Sequence, residues 1–443
     1  MTTELSSSSS SSAHPSLALD IATDSERLWQ SLMEMARLGA TPKGGVNRQA
    51  LTDLDRQARD LFIEWCRAEG CSIRVDSIGN IFARRPGTDP DAAVVMTGSH
   101  LDTQPTGGKF DGCYGVMAGL EVIRTLNRHD IHTRSPIEVV AWTNEEGCRI
   151  APCMMGSGVF TGQLSEHEML HQTDAEGVSV ADALEAIGYR GSDQVEREGI
   201  KAYFECHIEQ GPILEDRETT IGVVIGALGQ KWFDLTLTGQ EAHAGPTPMS
   251  LRKDALLGAA EITQAINAIA MRHPPHGRGT VGVLQLHPGS RNVIPGQVKM
   301  TIDMRHFDAE TLAQMAEELQ QAVNDSCQRH GLTAELTPAA DFAPEHFAES
   351  CVTAVRHGAE RLGVSHLDIV SGAGHDAIFM GRIAPAGMIF VPCENGISHN
   401  EIENAAATDL HAGCNVLLHA MLEQAGLKQA GLEQAGLVDG GEK

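Results

Sequence analysis

Five short stretches of this sequence place imidazole or carboxylate side chains where metal chemistry becomes feasible. They are Gly98-Ser99-His100-Leu101-Asp102-Thr103, Gly107-Gly108-Lys109-Phe110-Asp111-Gly112, Thr143-Asn144-Glu145-Glu146-Gly147, Glu205-Cys206-His207-Ile208-Glu209-Gln210-Gly211 and Ile397-Ser398-His399-Asn400. Histidine nitrogens and carboxylate oxygens together can hold a pair of divalent ions. Such ions lower the pKa of water and polarise a carbonyl, which is hydrolase chemistry. His100 and Asp102 share one face of an extended segment, so Asp102 can orient the imidazole from behind. Asp111 has two oxygens and can bridge two ions. Glu146 can ligate one ion, while Glu145 points elsewhere and takes a proton from water. His207 and His399 can complete the two coordination spheres. Taken singly each residue is ordinary: an aspartate after two glycines suits a turn, and two adjacent glutamates suit a solvated step. Their joint occurrence carries the argument.

The elements that must position these groups alternate between helix and strand. Leu51 to Ala68 has the spacing of an amphipathic helix. Ala93 to Met96 is a short apolar strand that delivers His100 just past its end. Tyr114 to Arg128 is helical, and Pro136 to Trp142 is a second strand, delivering Glu145 and Glu146. Ligands just beyond strand ends are what an open α/β sheet offers. From about Lys231 the pattern changes. Phe233, Leu235 and Leu237 alternate with polar residues, Leu251 to Met271 reads as a helix and Thr280 to Leu286 as a strand. Gln297 to Arg305 alternates again, Ala309 to Arg329 is helical, and Thr333 to Leu336 is a last strand. The order β-α-β-β-α-β predicts an inserted ferredoxin-like module within an α/β protein.

At 443 residues two domains are expected. A formal charge of −26 argues against nucleic acid or an anionic membrane as partner. No basic stretch followed by an apolar run opens the chain, and no apolar run is long enough to span a bilayer. The ten cysteines contain no Cys-x-x-Cys pair, so free thiols in a reducing cytoplasm are expected. Cys148, Cys153, Cys206 and Cys393 lie near the motifs and are read as buried small hydrophobes that can still react with thiol reagents. Ser6 to Ser12 predicts a disordered tail. Gln-Ala-Gly-Leu recurs from Gln424, Gln429 and Gln434. That period fits neither helix nor strand and predicts a peripheral tail.

The five motifs, in this order from about Asn47 to about Glu403, resemble the M20 metallopeptidase/amidohydrolase superfamily. Within it they resemble the N-carbamoyl-amino-acid amidohydrolase group, which includes L-carbamoylases, β-ureidopropionases, allantoate amidohydrolases and ureidoglycolate amidohydrolases. Glu205 to Gly211 discriminates, because the peptidases generally place an acidic ligand where this chain has His207. The resemblance implies His100, Asp111, Glu146, His207 and His399 as metal ligands, with Asp111 bridging, and Glu145 as general base. It implies Gln210, His243, Asn292 and Arg305 as substrate contacts, with His243 able to stabilise an oxyanion. Gly374 lies in the substrate-facing loop Ser371 to Asp376, with His375 behind it. It also implies two divalent ions, zinc first and manganese, cobalt or nickel as alternatives. The fold implied is a mixed-sheet catalytic domain (residues 19–228 and 341–420) with a ferredoxin-like lid at 229–340 that forms a homodimer, between tails at 1–18 and 421–443. The expected reaction releases the carbamoyl group of an N-carbamoyl amino acid, α or β, as ammonia and carbon dioxide. Allantoate hydrolysis is the nearest alternative and a peptidase or deacylase a more distant one. A non-catalytic metal-binding scaffold is disfavoured because it needs no base such as Glu145.

Overall fold

Runs of β-branched and apolar residues such as Ile137-Glu138-Val139-Val140-Ala141-Trp142 build the largest sheet among the described residues. The computed structural model describes residues 21–427 except Gln194 and Glu196. The large sheet runs Ser72–Val75, Ile81–Arg85, Ile137–Trp142, Val94–His100, Ile200–Ile208, Ala386–Val391, Ile221–Ala227 and Glu345–His346, with His366–Ser371 pairing Ile221–Ala227. Its centre is parallel: Val94–His100 pairs in parallel with both Ile137–Trp142 and Ile200–Ile208, which in turn pairs in parallel with Ala386–Val391. Parallel pairing sends the C-terminal ends of all four strands to one edge. These strands are buried almost throughout, as expected where helices cover both faces. Helix Cys113–Arg128 lies on one side, packed with Ala407–Ala425 against the sheet.

The second sheet has the order Thr333–Phe342, Gly229–Thr238, Gln297–His306, Arg278–His287, all antiparallel. Helices Ala255–Arg272 and Ala309–His330 connect its strands. Between these helices and the sheet lies a separate core of Leu235, Leu237, Ile262, Ile266, Val298, Met300, Ile302, Met304, Met315 and Leu319. The alternation read from Val298 to Met304 is therefore the buried face of a central strand. The chain enters this unit directly from Ile221–Ala227 and leaves it into Glu345–His346, which pairs with that same strand.

Several boundaries differ from expectation. His100 is the last residue of its strand rather than a residue beyond it. The helix expected from Leu251 begins at Ala255, because the Asp254 carboxylate caps the amides of Leu256 and Leu257. The strand expected to end at Leu336 continues to Phe342. The first Gln-Ala-Gly-Leu copy belongs to the fold: Ala407–Ala425 runs through its start, and Leu427 bridges to Thr133. The serine run and the other two copies lie outside the described residues. Among the described residues no helix is long and apolar enough to cross a membrane.

Candidate active site

The parallel strand ends deliver the candidate ligands to one place. His100 closes Val94–His100 and His207 sits one residue before the end of Ile200–Ile208. Glu145 and Glu146 follow Ile137–Trp142 through a tight turn in which Asn144 adopts φ 54°. Asp111 precedes helix Cys113–Arg128, whose cap Gly112 has φ 62°. A Cβ on Gly112 would lie 2.3 Å from the His100 ring, so only glycine lets the helix start against that imidazole.

Asp111 is the hub. Its Oδ1 lies 3.1 Å from His207 Nε2 and 3.7 Å from His100 Nε2, and its Oδ2 lies 3.3 Å from His399 Nε2. His399 Nε2 is also 3.6 Å from a Glu146 oxygen. Two ligand sets therefore share one carboxylate: His100, Asp111 and His207, and Asp111, Glu146 and His399, with the ligand atoms of each set within 4.8 Å of one another. Imidazole with carboxylate suits zinc and its neighbours, so the donor chemistry fits divalent ions. A Glu145 oxygen lies 3.4 Å from His100 Nε2. A cavity of about 230 Å³ is lined by these ligands together with Glu145, Gln104, Cys153, Gln210, Ala373, Gly374 and His375.

Burial alone would make Asp111 hold its proton. The hydrogen bonds of His207 and His399, with the charges of His207 and His100, outweigh that and keep its carboxyl well below the usual carboxylate range. Burial opposes charge on His207, but its hydrogen bond to Asp111 lifts it to about 9. His399 is lifted to about 9 by the same carboxylate. Burial, reinforced by the Asp111 charge, pushes Glu146 up to about 8. Burial, then the charges of Asp376 and Glu146, pushes Glu145 well above its ordinary value.

Other expected residues fall in different places. Gln210 Nε2 donates to Asp111 Oδ2 at 2.9 Å, and Gly374 lines the cavity. His375 is buried with its ring 4.5 Å from that of His207. Arg305 lies in a neighbouring cavity of about 770 Å³ that shares Gln210 and Ala373 with the first. Its guanidinium is held by Asp303 at 2.6 Å and by the carbonyl of Gly372 at 2.6 Å. His243 and Asn292 do not line the ligand cavity of their own chain. They adjoin each other instead, with His243 paired to Val293 and the Ala244 amide donating to the Asn292 carbonyl.

Two expectations need correction. The ring of His100 is oriented by the main-chain carbonyl of Asp102, 2.8 Å from Nδ1, and the Asp102 carboxylate is 4.0 Å away. That carboxylate instead accepts the amides of Glu145 and Glu146, both at 3.2 Å, and so braces the turn that carries them. Cys206 and Cys393 are buried, but Cys148 and Cys153 are exposed, and Cys153 lines the cavity. Three positioning residues, Arg48, Glu205 and Glu403, are not among the expected site residues. The buried Arg48 donates to the carbonyls of Leu101 (2.8 Å), Met35 (3.0 Å) and Leu38 (2.7 Å), which fixes the loop after His100. The buried Glu205 carboxylate accepts the Ser99 hydroxyl at 2.7 Å and the Ala377 amide at 2.8 Å beneath the site. Glu403 holds the amides of Phe110 and Asp111. Glu205 stands two residues before His207 in the same motif, and Glu403 follows the last motif by three residues.

Residues 96–423 match the family model described as "Peptidase family M20/M25/M40". The chain belongs to the M20 family. An N-carbamoyl-L-amino-acid amidohydrolase from Rhizobium meliloti is 48% identical over 402 residues, 91% of this chain and 97% of that protein. A ureidoglycolate hydrolase from Oryza sativa subsp. japonica is 35% identical over 90% of this chain and 84% of its own length. A crystal structure of an amidase of the hydantoinase/carbamoylase family from Burkholderia multivorans superimposes with a TM-score of 0.90 at 54% identity, covering 92% of this chain and 99% of that one.

In this M20 chain, the protons on His207 and His399 compete with any divalent ion. Because both histidines stay protonated up to about pH 9, ion affinity should rise as pH increases from 6 to 9 and level off above that. The slope should be about tenfold per pH unit for each proton displaced. Isothermal titration in buffers of different ionisation enthalpy measures the protons released. Affinity that is flat across this range would contradict the assignment.

Proposed function

We propose that this chain is a metal-dependent amidohydrolase of N-carbamoyl amino acids, α or β. The observation that carries the reading is a single buried carboxylate, Asp111, shared by two ligand sets, with the Glu145 carboxylate in the same small cavity. The substrate class is lent by relatives named N-carbamoyl-L-amino-acid amidohydrolase at 36–48% identity over about nine-tenths of this chain. His207, an imidazole where the peptidase branch generally carries an acid, agrees with that choice.

His100, Asp111 and His207 would hold one divalent ion and Asp111, Glu146 and His399 a second. Zinc is the first choice, with manganese, cobalt or nickel also compatible with these donors. Bound there, the ions lower the pKa of water and polarise the ureido carbonyl. Glu145 takes the proton of the attacking water as its oxygen adds to the ureido carbon. The C–N bond to the amino acid then breaks, and Glu145 returns the proton to the leaving nitrogen. The other fragment, carbamate, falls to ammonia and carbon dioxide. Asp102, by holding the Glu145 and Glu146 amides, keeps base and ligand pointing in different directions. A carboxylate surrounded by acids and buried in protein releases its proton reluctantly, which suits a group that must carry one between two steps.

Arg305 would bind the substrate carboxylate; its guanidinium, held by Asp303, lines the neighbouring cavity, which supports that reading. Gln210 lines both cavities and Gly374 lines the one with the candidate ligands. The unit from Gly229 to Phe342 acts in this reading as a ferredoxin-like lid and dimerisation domain. Its edge strand Arg278–His287 leaves Val283, Leu284 and Leu286 exposed, and an unpaired apolar edge is suited to a second copy. His243 and Asn292, remote from their own cavity, would then serve the partner's.

Replacing the two adjacent glutamates should have different consequences. Glu145→Gln should keep its metal and lose about 10²–10⁴-fold in kcat, the usual scale for a general base. Glu146→Ala should lose metal as well. Ammonia release from N-carbamoyl-L-amino acids, N-carbamoyl-β-alanine and allantoate, with parallel metal analysis, checks both. A Glu145→Gln variant with near-native kcat would overturn the mechanism.

Complementation tests the shared site. Glu145→Gln and His243→Ala should each be nearly inactive alone. Co-expression should restore about a quarter of native activity, since half of randomly paired dimers carry one intact site of two. No recovery, with mixed dimers shown to form, would mean that His243 does not act across the interface.

A further inference from the structure

Glu403 is not among the candidate ligands, yet it is tied to two of the loops that supply them, those of Asp111 and His399. Its side chain is buried, with the residue 1% exposed. Oε1 accepts the main-chain amides of Phe110 at 3.0 Å and Asp111 at 3.2 Å. Oε2 accepts the Ser398 hydroxyl at 2.9 Å. The second glycine of Gly107-Gly108 makes room for it: a Cβ at 108 would lie 2.0 Å from the Glu403 carboxyl carbon.

Ser398 is the decisive partner. Its Oγ lies between two carboxylates, 2.9 Å from Glu403 Oε2 and 3.1 Å from Asp111 Oδ2. A hydroxyl has one proton to donate. Glu403, the nearer acceptor, draws it. The competing acceptor, Asp111 Oδ2, is the oxygen that faces His399, and it already receives Gln210 Nε2 at 2.9 Å. If the Ser398 proton also turned to that oxygen, both of its lone pairs would be engaged in hydrogen bonds and none would be left for an ion.

We infer that Glu403 is a positioning residue for the ion on the His399 side. By drawing the Ser398 proton to itself, it keeps the bridging oxygen of Asp111 free to ligate. The inference rests on the two-ion reading above. It also explains why a carboxylate, and not merely a tether of the same size, stands at this position.

The test is titration of the full chain with cobalt(II) alone, followed by visible absorption and by equilibrium dialysis, without substrate. Native protein should take two equivalents. Glu403→Gln keeps the shape and can still accept the two amides through its carbonyl oxygen. Its NH2 group, however, points a donor at Ser398 and turns the hydroxyl proton towards Asp111. The first equivalent should bind as in the native protein, and the second should weaken about 10–100-fold, the usual cost of disturbing a group behind a metal ligand. Ser398→Ala removes the proton in question, so Ser398→Ala alone should keep the second equivalent. Glu403→Gln with Ser398→Ala should recover most of the affinity that Glu403→Gln loses. A purely structural tether gives the opposite pattern, in which Ser398→Ala loses the second ion and the double variant is no better than Glu403→Gln. That pattern, or a Glu403→Gln variant with native affinity for both equivalents, overturns the inference. A native protein that takes a single equivalent overturns the two-ion reading beneath it.

Discussion

The carboxylate of Asp111, buried among three imidazoles, is the constraint to which the rest of the site answers. An ionised carboxylate taken out of water costs several kcal/mol unless charge and hydrogen bonds compensate. Here His207 and His399 lie 3.1 and 3.3 Å from its oxygens, and Gln210 donates to it at 2.9 Å. None of these partners is a sequence neighbour of Asp111. They converge because four parallel strands end at one edge and because glycine at 112 lets a helix begin against the His100 ring. The large hydrophobic sheet therefore works as a jig. Its burial energy holds polar groups at spacings they would not adopt unaided.

The same region collects more acid than its cations can neutralise. Glu145, Asp102, Glu205 and Asp376 are all buried close to the ligands, and each is pushed towards its protonated form, mainly by burial. Among the described residues Asp376 Oδ2 and His375 Nε2 have no hydrogen-bond partner. Surplus negative charge in such a cavity would favour divalent ions, and bound ions would make that charge tolerable. The excess also sets the behaviour of Glu145. Surrounded by like charge and little water, it binds a proton more readily than a free glutamate would.

How much of this was legible in the sequence depended on whether the informative signal was local. The candidate ligands stood out because each belongs to a compact motif, and His100 and Glu146 also come at or just after the end of an apolar strand. Strand alternation from Phe233 to Leu237 and from Val298 to Met304 was legible because one face of each strand meets the small core and the other does not. The role of Asp102 was misread: alternation puts its side chain on the His100 face, but the turn after Thr143 offers its carboxylate two amides, leaving the carbonyl to orient the ring. Arg48 and Glu403 carry no local signal at all. Each acts on a loop more than 50 residues distant, and only the folded chain makes them neighbours. The exposure of Cys153 was equally hidden, because nothing nearby in sequence shows that it would face the cavity.

The central claim is that Asp111 is shared between two divalent ions. Anomalous diffraction from crystals of the zinc-loaded protein, recorded on both sides of the zinc absorption edge, tests this most directly. The account predicts two anomalous peaks about 3.5–4 Å apart, the usual spacing of paired catalytic ions. One Asp111 oxygen should contact each, with His100 and His207 on one ion and Glu146 and His399 on the other. A single peak at full loading, or two peaks of which one makes no contact with Asp111, would contradict it.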